Sequence, residues 1–383
     1  MITAVRPGPA LVTVVMANFN GMRHLNAAIR SVLDQSHANL ELIVVDDAST
    51  DASATIINEW TRADGRVRAI LQESNGGPAR ARNAALAMAK GEWIAIVDAD
   101  DQIHPERLER LILAAEGAGA DIVADDLLHF YEDGSPVTFL LPADWRDVRP
   151  ITALDWIEGG SRPDMPALGY LKPLIRRSII SRRRYDETMR IGEDWELVLQ
   201  LLLAGASMIV LPQPWYLYRR HAGSISHRLS SATLEAMMRV DDGIPLDHCN
   251  LRPDITRALA HRRSGLLAQL EVQKLIEAIK RRDAADGLAV LMAAPRSALG
   301  LGVVMAGRLR ARGTPVHSAN VPPLPDYAPP EARDALRIDR SIWEQLVNAV
   351  LTGRQNIRLE GPAGRYAAGF LPQDLIKSQV VTG

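Results

Sequence analysis

Four short apolar runs in the first hundred residues each stop abruptly at a polar cluster, with amphipathic segments between them. Leu11 to Met16 is apolar and β-branched and ends at Asn18-Phe19-Asn20-Gly21. Such a run reads as a buried strand entering a loop. Helical spacing follows over Asn26 to Leu33, with Leu25, Ile29, Val32 and Leu33 on one face. Leu40 to Val45 is a second strand, leading into Asp46 to Asp51, where Ser49 or Asp51 is expected to N-cap a helix reaching about Trp60. Val67 to Leu71 is a third strand. The turn Asn75-Gly76-Gly77-Pro78 opens an Ala-rich helix, Ala79 to Ala89, and Trp93 to Val97 is a fourth strand, stopping at Asp98-Ala99-Asp100-Asp101. This rhythm predicts parallel βαβ units and an α/β fold. Ligands of open sheets bind beyond the carboxyl ends of the strands, so the clusters at 18–20, 46–51, 75–83 and 98–101 should meet on one rim.

The rest of the chain is less regular. Asp121 to Ala124 and Ser207 to Leu211 read as strands, Gly134-Ser135-Pro136 as a turn, and Ile191 to Leu203 as the lead into a helix. Residues 252–293 and 298–312 read as Arg- and Ala-rich helices. Val321 to Pro330 holds five prolines in ten residues and is a linker or wrapped loop. A helix over Arg340 to Leu351 and a weak strand over Asn356 to Leu359 follow. The length of 383 residues suggests two domains, or one large domain with an extension. The charge balance of 44 Lys+Arg against 46 Asp+Glu excludes a strongly basic nucleic-acid coat, and no nucleic-acid partner is expected. The single cysteine, Cys249, excludes a disulfide framework and a Cys-based zinc cluster. There is no signal-peptide pattern and no run of about 18 apolar residues. The longest apolar candidate, Ala298 to Gly307, lies between Arg296 and Arg308. A cytoplasmic protein is expected, with peripheral contact on the inner face of the cell membrane left open. The balance is uneven along the chain. Residues 1–251 carry 25 basic and 34 acidic side chains, residues 252–313 carry 12 and 5, and residues 314–383 carry 7 of each.

Several residues on the expected rim suit phosphate and metal chemistry. Asp98-x-Asp100 offers hard oxygen ligands for Mg²⁺ or Mn²⁺, and Asp101 adds like-charge crowding. Asp46-Asp47 fits either helix capping or a carboxylate accepting from a base or ribose. Arg80 and Arg82 at the start of a helix fit phosphate or a solvated face equally well. Glu193 and Asp194 head an apolar helix behind Gly192, where an Asp is either an N-cap or a rigidly held general base. Trp195 reads as core packing. Arg219 to Ser226 joins cations, His221 and hydroxyls in a Gly-containing loop, suited to phosphate or metal.

These segments together resemble a known family. VVMANFNG (14–21), LIVVDDASTD (42–51), NGGPARARNAAL (75–86), GEWIAIVDADD (91–101), GEDWELVLQLLLAG (192–205) and YRRHAGSIS (218–226) are similar, in order and spacing, to the family 2 inverting glycosyltransferases. The resemblance spans residues 11 to about 230. It implies a GT-A fold, a Rossmann-like, mostly parallel sheet flanked by helices, here with a mainly helical C-terminal extension. The domains expected are 1–250 catalytic, 251–313 a basic helical extension, and 314–383 a Pro-rich linker with a small C-terminal region. By resemblance Ala17 and Phe19 line the nucleobase, Asp47 accepts from uracil, Arg82 lies near base and phosphates, and Asp98 faces the ribose. Asp100 and His221 are implied as metal ligands for Mg²⁺ or Mn²⁺, and Asp194 as the base, with Glu193 on the acceptor or donor sugar. Arg220, His221 and Ser224 are implied to settle the departing diphosphate. Ala17 stands where Pro is frequent and Phe19 where Tyr is, which keeps the apolar wall and drops any hydroxyl contact.

The activity implied is transfer of a sugar from UDP-sugar to a saccharide hydroxyl with inversion, with metal assistance. GYLKPLIRRSII (169–180) and RYDETMRIGED (184–194) resemble bacterial exopolysaccharide glucosyltransferases, so glucose and a lipid-linked acceptor are the first expectation. Residues 125–185, with Asp125, Asp126, Trp156 and Lys172, are expected to shape both substrates. The basic segment is either a helical cover with solvated Arg or a dock on anionic lipid. The competing classes are a sugar-nucleotide nucleotidyltransferase and a non-catalytic sugar-nucleotide-binding assembly protein. The first wants a Gly-rich loop after strand one, which Asn18 to Gly21 does not supply. The second predicts degraded carboxylates, yet Asp98, Asp100 and Asp194 are present. Oligomerisation and the role of 314–383 are unassigned.

Overall fold

The computed structural model describes residues 8–131, 138–142, 144–162, 164–180, 183–221, 229–244 and 253–302. The Gly134 turn, Ser224, Cys249, the Pro-rich stretch and the elements expected after it lie outside the described residues.

The N-terminal half alternates as its hydrophobic pattern dictates. It runs β1 (Val12–Asn18), α1 (Met22–Leu33), β2 (Leu40–Asp46), α2 (Ser53–Ala63), β3 (Val67–Leu71), α3 (Pro78–Met88) and β4 (Trp93–Ile96). There follow β5 (Gln102–Ile103), α4 (Arg107–Ala118), β6 (Ile122–Tyr131), β7 (Thr138–Phe139), β8 (Arg149–Ile151) and α5 (Ala153–Glu158). A 3₁₀ turn at Leu168–Tyr170 precedes β9 (Leu174–Arg176), α6 (Arg177–Ile180), α7 (Glu193–Leu203) and β10 (Met208–Arg220). The last described elements are α8 (Ser231–Gly243), α9 (Pro253–Arg281) and α10 (Ala284–Ala293), with a further helical run over 296–302.

The described strands form one sheet in the order β3-β2-β1-β4-β9-β6-β10-β5, with β7 on β6 and β8 on β10. β1, β2, β3 and β4 pair in parallel, as do β6 and β10, while β9 runs antiparallel between β4 and β6. Hence β1, β2, β4 and β10 all end on the same edge, which gathers Asn18, Asp46, the turn at Asp98 and Arg220 there. Val12, Val14, Val15, Leu42, Val44, Ile94 and Ala95 are fully buried because helices cover both faces, as a parallel sheet requires.

Two expectations were too short. The strands foreseen at 121–124 and 207–211 are the first parts of β6 and β10, which pair along most of their length. Pro212 and Pro214 lack amide donors, and the register shifts between Leu211 and Tyr216 around them. The strand then continues and delivers Arg219 and Arg220 to the rim. The start of α2 also differs, since its N-cap position is Ala52. Asp51 accepts the amides of Ser53 at 2.9 Å and of Met22 at 3.1 Å, tying the first turns of α2 and α1 together.

The helical C-terminal part packs onto the sheet domain. Ala258 and Leu259 of α9 join the main core, and Leu266 and Leu270 pack with Met189, Leu234 and Met237. Arg262 lies over the Trp195 ring at 3.6 Å and donates to Asp241 at 3.0 Å. Arg263 pairs with Asp242 at 2.6 Å and Lys274 with Glu235 at 2.8 Å. The basic excess of this segment is therefore answered in part by carboxylates of α8, which the division by residue number assigns to the acidic body. No described helix is long and apolar enough to cross a membrane.

Candidate active site

The rim is braced from β1 outward. The Asn18 side chain donates to Asp46 at 2.7 Å, and the Ser49 hydroxyl donates to the same Asp46 oxygen at 2.6 Å. Asn20, at φ 52°, donates its amide to Ser49 at 2.8 Å. Between these fixed groups Ala17 is half-buried and the Phe19 ring is exposed, leaving an apolar face at the mouth of the site.

Asp47 is buried, and its two oxygens accept the amides of Gly76 and Gly77, each at 2.7 Å. It is neither a helix cap nor an open carboxylate, but the clamp on the turn that starts α3. A base N–H would have to use the remaining lone pairs of those oxygens. Gly77 sits at φ 90°, and a Cβ there would lie 2.9 Å from the Arg190 guanidinium. Arg190 in turn donates to Asn75 at 2.8 Å, closing the same turn.

Behind this turn Arg82 points into the site rather than to solvent. Its Nη1 donates to Glu193 at 2.5 Å and lies 3.3 Å from Asp194 Oδ1, and its Nη2 donates to Asp98 Oδ1 at 3.0 Å. Lys172 enters from the opposite side, with Nζ 2.8 Å from Asp98 Oδ2 and 3.2 Å from Asp194 Oδ2. Asp98 and Asp194 thus each give one oxygen to Arg82 and the other to Lys172. Burial opposes the charge on both cations, but Asp194, Glu193 and Asp98 around Arg82, and Asp98 and Asp194 around Lys172, hold each well above its usual range. Burial also works against ionising Asp98, yet Lys172 and Arg82 outweigh it and bring it down to about 2. Glu193 moves the other way, raised by burial and by Asp194 against the pull of Arg82. Asp194 Oδ1 is buried and accepts no hydrogen bond from the described residues.

The Asp98 to Asp101 turn sorts its three carboxylates. Asp101 is buried, accepting the Tyr216 hydroxyl at 2.9 Å and the Arg219 amide at 2.7 Å. Burial and the neighbouring Asp100 and Asp98 push its carboxyl well up, which relieves the crowding foreseen in the sequence. Asp100 is the most open of the three, with His221 Nε2 2.9 Å from its Oδ2 and Arg219 Nε donating to its carbonyl at 2.8 Å. The Arg220 guanidinium lies 5.0 Å from the rings of both Tyr170 and Tyr218. Of the expected site residues, Ser224 lies outside the described residues.

No group of three or more His, Cys, Asp or Glu gathers at metal-binding distance among the described residues. Asp100 and His221 are a two-residue donor set, and such sets suit Mg²⁺ or Mn²⁺ when a diphosphate and water complete the shell. Asp98 does not join them, since both its oxygens meet protein cations.

Lys172, Arg107, Tyr216 and His24 carry site geometry that the residue patterns left unassigned. Arg107 and Asp125 are fully buried, joined by contacts of 2.8–3.1 Å, and Arg107 Nη2 also donates to the Lys172 carbonyl at 2.5 Å. The guanidinium lies 4.9 Å from the Tyr216 ring, whose hydroxyl accepts the Asp98 amide at 3.1 Å. His24 is 5.7 Å from His221 between ring centres. Burial, then Arg219, Arg23 and His221, lower it to about 3, so it is neutral at physiological pH. The available signal was a lone Lys in the apolar run from Leu171 to Ile175, and two Asp residues inside the strand pattern of Ile122 to Leu128.

The comparisons with known proteins agree with this architecture. Residues 13–157 match the family model described as Glycosyl transferase family 2. The chain is 33% identical over 303 residues to the succinoglycan biosynthesis protein ExoO of Rhizobium meliloti, covering 78% of this chain and 86% of that one. It is 31% identical over 243 residues to the succinoglycan biosynthesis protein ExoU of the same organism, covering 62% and 70%. The crystal structure of S. aureus TarS 1–349 in complex with UDP-GlcNAc superimposes with a TM-score of 0.54 at 17% identity, covering 96% of this chain and 92% of that one. The last likeness speaks to the fold alone, which is the GT-A arrangement. A family model over the strand-and-rim half, and a relative matched over most of both chains, place this protein in glycosyl transferase family 2.

Proposed function

We propose that the chain transfers a sugar from a UDP-sugar to a hydroxyl of a saccharide acceptor, with inversion at the anomeric carbon. The observation that carries this reading is the state of Asp194. It stands in the first turn of α7 at the sheet rim, held between Arg82 at 3.3 Å and Lys172 at 3.2 Å. A carboxylate fixed at that rim is positioned to serve as the general base. The acceptor oxygen attacks the anomeric carbon in line as Asp194 takes its proton, and the bond to the UDP oxygen breaks. Ala17 and Phe19 supply the wall for uracil, Asp47 an acceptor for it, and Asp98 faces the ribose. Arg82 holds Asp98, Glu193 and Asp194 in place, and Glu193 lies beside the base for a sugar hydroxyl. Arg220, His221 and Ser224 are assigned to the departing diphosphate. Mg²⁺ or Mn²⁺ held by Asp100 and His221 would neutralise charge growing on that diphosphate.

Two relatives are succinoglycan biosynthesis proteins, which supports a place in bacterial exopolysaccharide synthesis; glucose is the first sugar to test and a lipid-linked oligosaccharide the first acceptor. Peripheral membrane contact is a separable part of the proposal. Exposed Ile279, Leu288, Met292 and Leu299 lie on the same helical part as exposed Lys280, Arg282 and Arg296. Sedimentation with anionic vesicles tests it, and absence of binding at low salt removes it. For the chemistry, UDP release from a panel of UDP-sugars with Mn²⁺ present identifies the donor, and NMR of the product reads its anomeric configuration. Asp194→Asn should bind UDP-sugar and lose transfer; near-normal turnover by that variant refutes the base assignment.

A further inference from the structure

We propose that Lys172 is a positioning residue for transfer, holding the Asp194 carboxylate at the rim through Oδ2 and linking it to Asp98 on the donor side. The inference rests on the function proposed above. Its geometric basis is the four-cornered ring already described, in which Arg82 and Lys172 each bridge Asp98 and Asp194. The two cations are not equivalent. Arg82 is shared with Glu193, its shortest contact, so its hold on Asp194 is the longer one at 3.3 Å. Lys172 contacts only the two corner carboxylates among the described acids, and its Nζ donates to Asp194 Oδ2 at 3.2 Å, whereas Arg82 meets Oδ1 as an ion pair without a hydrogen bond. Lys172 is therefore the cation whose hydrogen bond keeps the Asp194 carboxylate in this ring.

The backbone supports this use of Lys172. Its carbonyl accepts from Arg107, which is locked by Asp125 in a pair with no solvent exposure. A buried pair of this kind contributes little net stability compared with an apolar one of equal size. Here it fixes where the lysine enters the ring, and through the Tyr216 ring it also backs the Asp98 turn. Both corners are therefore referred to one buried guanidinium.

The test compares wild-type chain with Lys172→Met, Lys172→Arg and Lys172→Ala. The readouts are kcat and KM for the donor, UDP affinity by calorimetry, and the melting transition. Displacing a catalytic group by about 1 Å costs on the order of 10²-fold. Lys172→Met should lose about that much kcat while UDP affinity stays within about threefold and the protein still melts cooperatively. Lys172→Arg should recover part of the loss, and propylammonium should restore turnover to Lys172→Ala in a saturable way. In an Asp194→Asn background, Lys172→Met should cause no further loss of kcat. Turnover by Lys172→Met within threefold of wild type overturns the role alone. A loss of turnover matched by an equal loss of UDP affinity, with no amine rescue, also overturns it. Absence of turnover by the wild-type chain with every UDP-sugar overturns the function itself, and this role with it.

Discussion

Removing the buried cation at Arg107 should destabilise the protein more than any loss of surface charge, and in a pH-dependent way. Arg107 and Asp125 have no solvent exposure, and Arg107 directs three contacts of 2.8–3.1 Å at the two Asp125 oxygens. In Arg107→Met the carboxylate keeps its place and loses its counterion. Breaking a buried pair from one side costs about 3–5 kcal/mol. For a chain of this size that is a fall in Tm of roughly 5 °C. Burial already raises Asp125 above its usual range, with Arg107 opposing. Without Arg107 the rise is larger. Above about pH 4 the folded variant then carries a proton that the unfolded chain has released, so its stability falls as pH rises. The deficit relative to wild type should be larger at pH 8 than at pH 5. In Arg107→Met/Asp125→Leu no charge is left buried, and most of the loss should return. Urea titrations of the three proteins at both pH values measure this. A single-variant deficit below about 1 kcal/mol, or one that does not change with pH, refutes the reasoning.

Three further outcomes follow from the site. Gly77→Ala should lose about 1–3 kcal/mol and weaken UDP binding, because φ 90° is glycine territory and the new Cβ would press on Arg190; denaturation and calorimetry check both. Asp98, brought down to about 2 by Lys172 and Arg82 against burial, adds stability that is complete above its unfolded value near 4. That stability is lost as pH falls toward 2, so Asp98→Asn should lose on the order of 2 kcal/mol at pH 7 and show a flatter acid-unfolding curve. Chelation with EDTA should lower both UDP affinity and transfer, with Mn²⁺ or Mg²⁺ restoring them; Asp100→Ala should show weakened UDP affinity that added metal does not restore.

The sheet and its rim were legible because hydrophobic period and turn residues are local properties. Four polar clusters could be placed on strand ends from spacing alone, and the parallel pairing of β1 with β2 and β4, and of β2 with β3, brings those ends to one edge. Partnerships between side chains were not legible in that way. Arg82 and Glu193 are 111 residues apart, and nothing local distinguishes an arginine that faces inward from one on a solvated helix face. Asp47 shows the same limit. A carboxylate after a strand fits a helix cap or a base contact, while the structure gives both its oxygens to the amides of a glycine turn. The basic excess after residue 251 likewise said nothing of Asp241, Asp242 and Glu235, which the fold sets against it.

The acidic turn after β4 makes the difference most concrete. Asp98, Asp100 and Asp101 look interchangeable as sequence, and crowding of three like charges is costly wherever it occurs. The fold resolves it by giving each a separate counterpart. Asp98 meets two cations from α3 and from the segment before β9, Asp101 meets a hydroxyl and an amide of β10, and Asp100 is left toward His221. A pair of acids two residues apart therefore does not act as a two-oxygen metal clamp here. One acid is tied to Asp194, through Arg82 and Lys172, and the other is left more open beside His221. The division ties the state of Asp194 to the same turn that carries Asp100, so disturbance of either side of the ring should be felt at the other.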